Sequence, residues 1–506
     1  MILGITVVYI LFVIGIGVYF TRKSKTVSDF VLGGRTLGPW ITAFAYGTSY
    51  FSAVVFVGYA GKFGWSYGMA ATWIGLGNAF IGSLMAWAIM GRRTRVMTHH
   101  LHSATMPEFF GKRYLSKPIK IIAAAIVFIF LIPYTASVYN GLSRLFEMAF
   151  KDYGLTYEHC VIGMAVITAA YVILGGYKAT AYNDFFQGIF MLVGIVAVIG
   201  ATLSLKGGFY EAVTELSMIE NTKGNLAGAN GAFTSMLGPD PINLVGVVIL
   251  TSLGTWGLPQ MVHKFYTIKD EKAIKAGTVV STVFAVIIAG GCYFLGGFGR
   301  IFANVDSAGN PEIGFDNIIP SMMEQLPALL IGIVVVLVLS ASMSTLSALV
   351  LTSSSTLTLD LIKPFSKKEF SEKSTLNIMR IFIGIFILAS FLIALNKTTL
   401  ITDLMGYSWG ALAGAFLAPF LYGLFWKKVT KAAVYINFFF ATFVTVLHLI
   451  IKPKWIIAGF NLASPVNLGA AIMIIGLIIV PLISLITPKF EKEKVDEMFE
   501  CYAKAE

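Results

Sequence analysis

Hydroxyl side chains crowd one apolar stretch of the chain, Ser340–Thr356 (SASMSTLSALVLTSSST), inside an uncharged run from Gln325 to Leu359. Ala341, Ser344 and Thr345 stand at i, i+3 and i+4, so they share one face of a helix. Two hydroxyls and an exposed carbonyl on that face can ligate Na⁺. Small hydroxyl residues also let membrane helices pack closely, with hydrogen bonds averaging about 0.6 kcal/mol. Spacing alone leaves both alternatives open, and we favour packing for Thr352–Thr356.

A sodium site of neutral oxygens also needs a broken helix, because carbonyls are free only where a helix is interrupted. The segment Ala45–Ala53 (AYGTSYFSA) supplies one, since Gly47 is followed by Thr48 and Ser49. We predict that the carbonyls of Thr48 and Phe51 face the ion. The side chains of Tyr50 and Ser52 then face a substrate cavity.

A second interruption lies in Leu253–Gln260 (LGTWGLPQ), where Gly254, Gly257 and Pro259 break or bend the helix. Paired interruptions at corresponding positions indicate an inverted-repeat transporter with a site at the membrane midplane. Thr255 and Trp256 are therefore further candidates for substrate contact. Packing aromatics remain the alternative for Tyr50 and Trp256.

The composition determines which elements position these residues. Of 506 residues, 57% are hydrophobic and 12% charged, with a mean hydropathy of +0.79, which is typical of an all-α polytopic membrane protein. Uncharged runs predict about thirteen transmembrane helices. They lie near 2–20, 39–61, 66–90, 119–143, 160–177, 185–205, 241–262, 276–299, 326–359, 381–396, 401–426, 432–451 and 466–488.

The net charge of +11 reflects membrane orientation rather than nucleic-acid binding. About 26 of the 37 Lys and Arg residues occupy alternate loops, a bias that marks the cytoplasmic face. We predict a multi-pass cell-membrane protein with its N-terminus outside and its C-terminus in the cytoplasm. The tail from Thr487 is too short for a signalling domain, and the spans contain no nucleophile or metal cluster of an enzyme.

Charged residues are almost absent from the predicted spans, and Asp184, Asp240, Asp360 and Asp403 all fall at span ends. Proton-driven transporters usually carry an intramembrane acid or histidine relay. The remaining intramembrane oxygens favour a sodium-coupled transporter, with a proton-coupled relative as the competitor.

Five segments resemble the solute:sodium symporter family, in the family's order. They are DFVLGGRTLGPW (29–40), TMPEFFGKRY (105–114), GGYKATAYNDFFQG (175–188), SASMSTLSALVLTSSS (340–355) and WGALAGAFLAPFLYGLFWKKVTKAA (409–433). The resemblance implies thirteen helices, a five-plus-five inverted-repeat (LeuT-like) core, and sodium-driven uptake of a small solute by alternating access, without an organic cofactor.

The resemblance also assigns residues and boundaries. It places the family's sodium site on the carbonyls of Thr48, Phe51 and Ala341 and the hydroxyls of Ser344 and Thr345. Asp184 matches the family's acid near the inner mouth, on the ion's exit path, and a helix N-cap is its structural alternative. The single transporter domain, 1–506, divides into an extra first helix and loop (1–38), two repeats (39–205 and 241–426), and two final helices with a tail (427–506).

The most specific expectation from the sequence concerns the identity of the solute. Proline permeases of the family carry an acid where this chain has Tyr50, and aromatic residues where it has Thr251 and Thr255. The segments Ser49–Gly61 and Gly254–Gln260 look like the pantothenate and monocarboxylate branch, although Gln260 stands where that branch commonly has His. We therefore expect an organic acid, with proline, another amino acid or a sugar as the alternative.

Overall fold

The computed structural model of the protein describes residues 1–21, 26–221, 230–366, 370–397 and 399–503. Within these ranges, eleven helices are long and apolar enough to cross a membrane. One of them, Val54–His100, breaks at Gly68 (φ 60°, ψ −140°) and belongs to two passes, since its first part continues the helix Pro39–Tyr50. A shorter apolar helix, Tyr157–Ala170, adds another. The fold thus has the thirteen passes that the hydropathy pattern predicts, and we number them as spans 1 to 13.

The spans are built from these helices. Span 1 is Ile2–Thr21; span 2, Pro39–Tyr50, Val54–Tyr59 and Ala60–Tyr67; span 3, Thr72–Gly77, Asn78–Gly91 and Arg92–His100; span 4, Lys117–Ala149; spans 5 and 6, Tyr157–Ser204; span 7, Pro241–Leu253, Gly254–Trp256 and Pro259–Tyr266; span 8, Glu271–Ala285, Val286–Gly290 and Gly291–Gly296; span 9, Ala328–Thr356 and Leu357–Ile362; span 10, Glu372–Ala394; span 11, Ile401–Phe425; span 12, Lys431–Ile451; and span 13, Pro465–Ile486.

Short elements connect the spans. They are the helices Val27–Leu32, Gly33–Arg35, Gly68–Ala71, Met106–Arg113, Lys151–Tyr153, Phe209–Ser217, Gly299–Ile301, Phe315–Asn317, Ile318–Glu324, Lys363–Phe365 and Lys492–Ala503, and the antiparallel strands Ile456–Ile457 and Phe460–Asn461.

Spans 2 and 7 are both interrupted, about equally far from their first residues. Span 7 breaks from Gly254 to Leu258, as its glycines and proline predict, whereas span 2 stays helical through Gly47 and breaks at Phe51 and Ser52 instead. A helix of 12 residues precedes the break in span 2, and one of 13 residues precedes the break in span 7. Both helices begin with a proline. The first turn of a helix tolerates proline, because the N–H that proline lacks would have no helical partner there. The proposed repeat boundaries at 39–205 and 241–426 remain predictions.

Spans 9 and 11 form the centre of the molecule. In their most apolar stretches, 78% of span 9 and 83% of span 11 are buried, against 22% of span 1. Span 9 contacts spans 4 and 6 extensively, and span 11 contacts spans 4 and 13. The polar stretch Ser340–Thr356 is therefore packed against protein along its whole length.

One boundary expectation is wrong. Span 6 begins at Gly176 (φ 61°, ψ −173°), where it is separated from span 5, and not near residue 185. Asp184 therefore lies inside span 6, about 12 Å along the helix from Gly176 at 1.5 Å per residue. Hydropathy misplaced the boundary because Lys178, Asn183 and Asp184 lower the local average, whereas the tertiary fold buries Asn183 and Asp184.

Candidate functional site

The interruption of span 2 exposes backbone carbonyls. The helix ends at Tyr50, and Phe51 adopts an extended conformation (φ −113°, ψ 116°). An α-helix leaves its last four carbonyls without intrahelical partners. The N–H of Ala53, which would normally continue the ladder, instead donates to Ser342 Oγ of span 9 at 3.2 Å. The carbonyls of Thr48 and Ser49 are thus available to other groups.

Two hydroxyls of span 9 occupy that position. Ser344 Oγ lies 2.9 Å from Thr48 O and 2.9 Å from Ala341 O. Thr345 Oγ1 lies 3.2 Å from Ser49 O and 3.1 Å from Ala341 O. Each hydroxyl has a single proton for two carbonyls, so the cluster holds more acceptor oxygens than donors. This excess of neutral oxygens fits an alkali cation carried as a transported ion.

The structure brings together four of the five predicted sodium ligands, namely Thr48, Ala341, Ser344 and Thr345. Phe51 contributes to the break through its extended backbone, and the second carbonyl contacted by span 9 is that of Ser49. Sequence reasoning missed Ser49. The carbonyl of Ser49 is free because the helix continues past Gly47 to Tyr50, so Ser49 is among its last four residues.

Three of the four predicted substrate residues converge near Gly82 of span 3. Tyr50 Oη donates to Thr251 O. Thr255 Oγ1 lies 3.2 Å from Gly82 O, and Trp256 Nε1 lies 3.0 Å from Ile81 O. Their polar atoms are thus bonded to protein carbonyls, so these side chains offer mainly apolar faces to a solute.

The fourth predicted residue, Ser52, has a local role in the interruption. Its Oγ accepts from the backbone N–H of Val54 at 3.2 Å, at the start of the second half of span 2. Ser52 is fully enclosed, like the residues on either side of it. It therefore stabilises the break from within.

Other buried polar groups at the centre lack partners, and sequence reasoning missed them. Among the described residues, no hydrogen bond is completed by Tyr59 Oη, Asn78 Nδ2, Tyr293 Oη or Trp409 Nε1. We call these four residues, together with Tyr50, the central cluster.

The members of the central cluster lie close to one another. Tyr293 lies within electrostatic reach of Asn78, Tyr59 and Tyr50, and the Trp409 and Tyr50 rings stack at 6.5 Å. Buried polar atoms normally have partners, so these atoms are candidates for solute contact. The available signal was Asn78, an amide within the uncharged run of span 3.

Asp184 is not a helix N-cap, contrary to the structural alternative, because it lies inside span 6. Its side chain is fully buried, and Oδ2 lies 3.7 Å from Nζ of Lys264. Lys264 belongs to the second half of span 7 and is likewise buried. The expectation that Asp184 falls at a span end is therefore wrong, and this pair places two charges inside the spans. The two charges compensate each other, which makes their burial tolerable.

Comparison with known proteins identifies the family. The sodium:solute symporter family model matches residues 30–436. The chain is 29% identical over 429 residues to the osmoregulated proline transporter OpuE of Bacillus subtilis (strain 168), covering 84% of each chain. It is 32% identical over 437 residues to a sodium/proline symporter of Staphylococcus aureus (strain JH9), covering 84% of this chain and 81% of the relative.

Two solved structures share the fold. A Na⁺-coupled sialic acid symporter in a substrate-bound outward-open state superimposes with a TM-score of 0.73, at 15% identity, over 97% of this chain and 99% of the other. The nucleobase-cation-symport-1 family transporter Mhp1 gives 0.51 at 13% identity, over 94% and 98%. The all-helical LeuT-like fold is therefore confirmed, whereas the likeness to the pantothenate branch finds no support in the proline-named relatives.

Proposed function

The chain belongs to the sodium:solute symporter family, and from this premise we propose that it couples Na⁺ entry to the uptake of a small zwitterionic solute, proline or a similar amino acid. The coarser part of this statement, a sodium-coupled solute symporter in a multi-pass membrane protein, follows from the family. The solute, the ligand residues and the orientation are the proposal.

The observation that most directly supports this proposal is the contact between spans 2 and 9. Ser344 Oγ reaches Thr48 O and Thr345 Oγ1 reaches Ser49 O across the interruption. A sodium ion bound among these oxygens bridges the two spans and stabilises the conformation in which they are together. A ligand can shift a conformational equilibrium only through its different affinity for the two states. Ion and solute must therefore raise each other's affinity by the same factor.

The proline names of the relatives support the amino acid over an organic acid, which reverses the preference drawn from the sequence. The central cluster adds a physical argument. Its members are aromatic and amide side chains without formal charge. Transfer of a net anion into such a site is costly unless a cation compensates it, whereas a zwitterion brings no net charge.

Uptake into proteoliposomes tests the proposal. Purified protein should accumulate radiolabelled proline under an inward Na⁺ gradient at equal pH on both sides, and not when choline replaces Na⁺. Accumulation driven by a proton gradient without sodium would refute sodium as the coupling ion. If unlabelled pantothenate or a monocarboxylate competed more strongly than any amino acid, the proposal of an amino-acid solute would be refuted, while the proposal of sodium coupling would stand.

We further propose the orientation. Arg92, Arg93 and Arg95 lie in the last helix of span 3, on what we call the basic side. Lys427, after span 11, and Lys431, at the start of span 12, lie on the same side. Positive residues mark the cytoplasmic face. The basic side is then cytoplasmic, and Asp184 and Lys264 lie between the candidate sodium site and the cytoplasm.

A further inference from the structure

A buried ion pair separates the candidate sodium site from the basic side. Asp184 Oδ2 and Lys264 Nζ are 3.7 Å apart, and their side chains are 0% and 2% exposed. Asp184 stands on span 6 and Lys264 on the second half of span 7. Charged groups at such depth in a membrane protein are costly and usually functional.

The Asp184 carboxylate and the Lys264 ammonium compensate each other's charge. Among the described residues, neither carboxylate oxygen of Asp184 completes a hydrogen bond. The Lys264 ammonium lies 5.0 Å from the ring centre of Tyr177, a favourable but weaker contact. A hydrogen-bonded ammonium–carboxylate pair is about 2.7–2.9 Å apart, so the observed 3.7 Å is a loose contact. Removing the ammonium leaves a buried anion without compensation, which is strongly unfavourable.

Amide side chains extend a polar path from the sodium site to this pair. Gln187 stands one turn from Asp184 on span 6, and both of its amide atoms lack partners within the described chain. The next residue is Gly188, where an added Cβ would lie 3.1 Å from Thr48 Cγ2. Span 6 therefore passes against Thr48 one turn from Asp184, and Gln187 stands within that turn.

The second half of span 7 adds another amide beside the pair. Gln260 stands one turn before Lys264, is buried, and also has both amide atoms unpartnered within the part of the chain that the structure describes. It lines a small cavity with Lys264, Thr352 and Ser355. An ion that leaves the Ser344 region along this path must pass the Asp184 carboxylate, where the Lys264 ammonium now lies.

We propose that Lys264 is a tethered counter-cation that competes with the transported sodium ion at Asp184. When Na⁺ passes, the ammonium moves off the carboxylate; when Na⁺ has left, the ammonium returns, so the buried anion is never uncompensated. The competition lowers the affinity of the cytoplasm-open state for Na⁺ and favours its release. This inference rests on the proposed sodium coupling.

Inhibition by internal sodium tests the competition. In right-side-out membrane vesicles preloaded with graded Na⁺, the internal concentration that halves uptake should fall about tenfold in Lys264→Gln relative to the unaltered protein. Lys264→Arg keeps the cation and should behave like the unaltered protein. In an Asp184→Asn background, the additional Lys264→Gln change should have no effect on this concentration.

The inference is overturned if folded Lys264→Gln keeps the unaltered half-inhibiting concentration, or if Lys264→Arg shifts it as far as Lys264→Gln does. A measurement on the unaltered protein covers the case in which Lys264→Gln does not fold. Labelling of Lys264 by an amine-reactive reagent, followed by peptide mass spectrometry, should be several-fold faster in Na⁺ than in choline, and equal rates contradict the inference. Failure of the unaltered vesicles to show any sodium-driven uptake refutes the proposed function instead.

Discussion

At the residue scale, two hydroxyls of span 9 differ from their neighbours in the groups that they contact. Ser354 and Ser355 bond the backbone of their own helix, at Leu351 O. Ser344 and Thr345 differ because their hydroxyls also reach carbonyls of another span. The same residue types on one helix therefore have two roles, and only the second brings oxygens from two spans to one point.

Removing those hydroxyls should weaken sodium binding. In a Ser344→Ala, Thr345→Ala double variant, we expect the half-saturating external Na⁺ concentration for uptake to rise about tenfold or more, since about 1.4 kcal/mol corresponds to a factor of ten. Hydrogen bonds to charged groups contribute about 1.5–3 kcal/mol, which covers such a loss. Sodium titration of initial uptake rates measures it.

Ser354→Ala is the matched control, because its hydroxyl donates to Leu351 O at 3.3 Å within its own helix. We expect its sodium dependence to be unchanged. An unaltered sodium requirement in the double variant would show that the ion binds elsewhere.

Tyr293 allows solute recognition to be separated from stability. Its Oη completes no hydrogen bond of normal geometry within the described residues, so Tyr293→Phe removes only a weak polar contact with Asn78. We expect the KM for solute to rise several-fold, while thermal unfolding stays within about 0.5 kcal/mol of the unaltered protein. Uptake kinetics and a melting curve of the same preparation provide both values.

Tyr157 provides the opposite control. Its Oη donates to Ala394 O at 2.6 Å, between spans 5 and 10. Tyr157→Phe should cost about 1 kcal/mol of stability and leave KM unchanged. If Tyr293→Phe lowers stability but not solute affinity, Tyr293 is a structural residue.

At the element scale, the interrupted spans are held by glycine contacts. An added Cβ at Gly64 of span 2 would lie 2.1 Å from the backbone of Gly296 in span 8, and one at Gly296 would lie 2.1 Å from Ala60 O. These are backbone-to-backbone contacts, which side-chain rearrangement does not relieve. The second half of span 2 is thereby fixed against span 8, while its first half contacts span 9 through Thr48 and Ser49.

A methyl group at that contact should separate the two spans. We expect Gly64→Ala to reduce the yield of folded protein sharply, because overpacking costs about 1–3 kcal/mol or more where the neighbours cannot move. Gly163→Ala is the control, since its Cβ would meet nothing within 4 Å. Size-exclusion profiles of both detergent-solubilised variants measure the effect, and a normal profile for Gly64→Ala would contradict this packing.

At the scale of the whole molecule, the charge of the transported species determines the response to membrane potential. The central cluster is uncharged, and the Asp184–Lys264 pair is neutral in sum. With a zwitterionic solute, each Na⁺ therefore carries its full charge inward. An inside-negative potential contributes about 2.3 kcal/mol per charge per 100 mV.

Uptake should therefore be electrogenic. A potassium diffusion potential, imposed with valinomycin and negative inside, should increase the initial rate of solute uptake at constant Na⁺ gradient. The reversed potential should decrease it. A rate that does not respond to potential would indicate that a negative charge on the solute cancels the charge of sodium. The result would favour an organic acid as the solute.

The chain ends provide a test of orientation. The helix Lys492–Ala503 lies on the basic side, where Tyr502 Oη lies 3.3 Å from Arg93 O and the Phe499 ring lies 5.1 Å from the Arg113 guanidinium. We expect an epitope tag fused to the C-terminus to be detected only after cells are permeabilised. A tag at the N-terminus should be detected on intact cells, and the reverse pattern would refute the proposed orientation.

The sequence by itself determined the class of the protein, the thirteen passes and the two interruptions. The passes and the break in span 7 are local features, because a run of about 20 apolar residues and a glycine or proline within it act on the backbone where they stand. The break in span 2 lies at Phe51 and Ser52, past the helical Gly47, so its exact position was not local. It also selected Ser344 and Thr345, since helical periodicity places them on one face.

Tertiary structure alone decided which oxygens and charges meet. That Thr345 contacts Ser49 O, that Tyr293 and Trp409 lie beside Tyr50, and that Asp184 is buried against Lys264 all depend on residues far apart in sequence. Hydropathy assigned Asp184 to a span end because a local average counts its charge but not its partner. A buried charge is tolerated only when an opposite one from another element compensates it, and that pairing exists only in the folded chain.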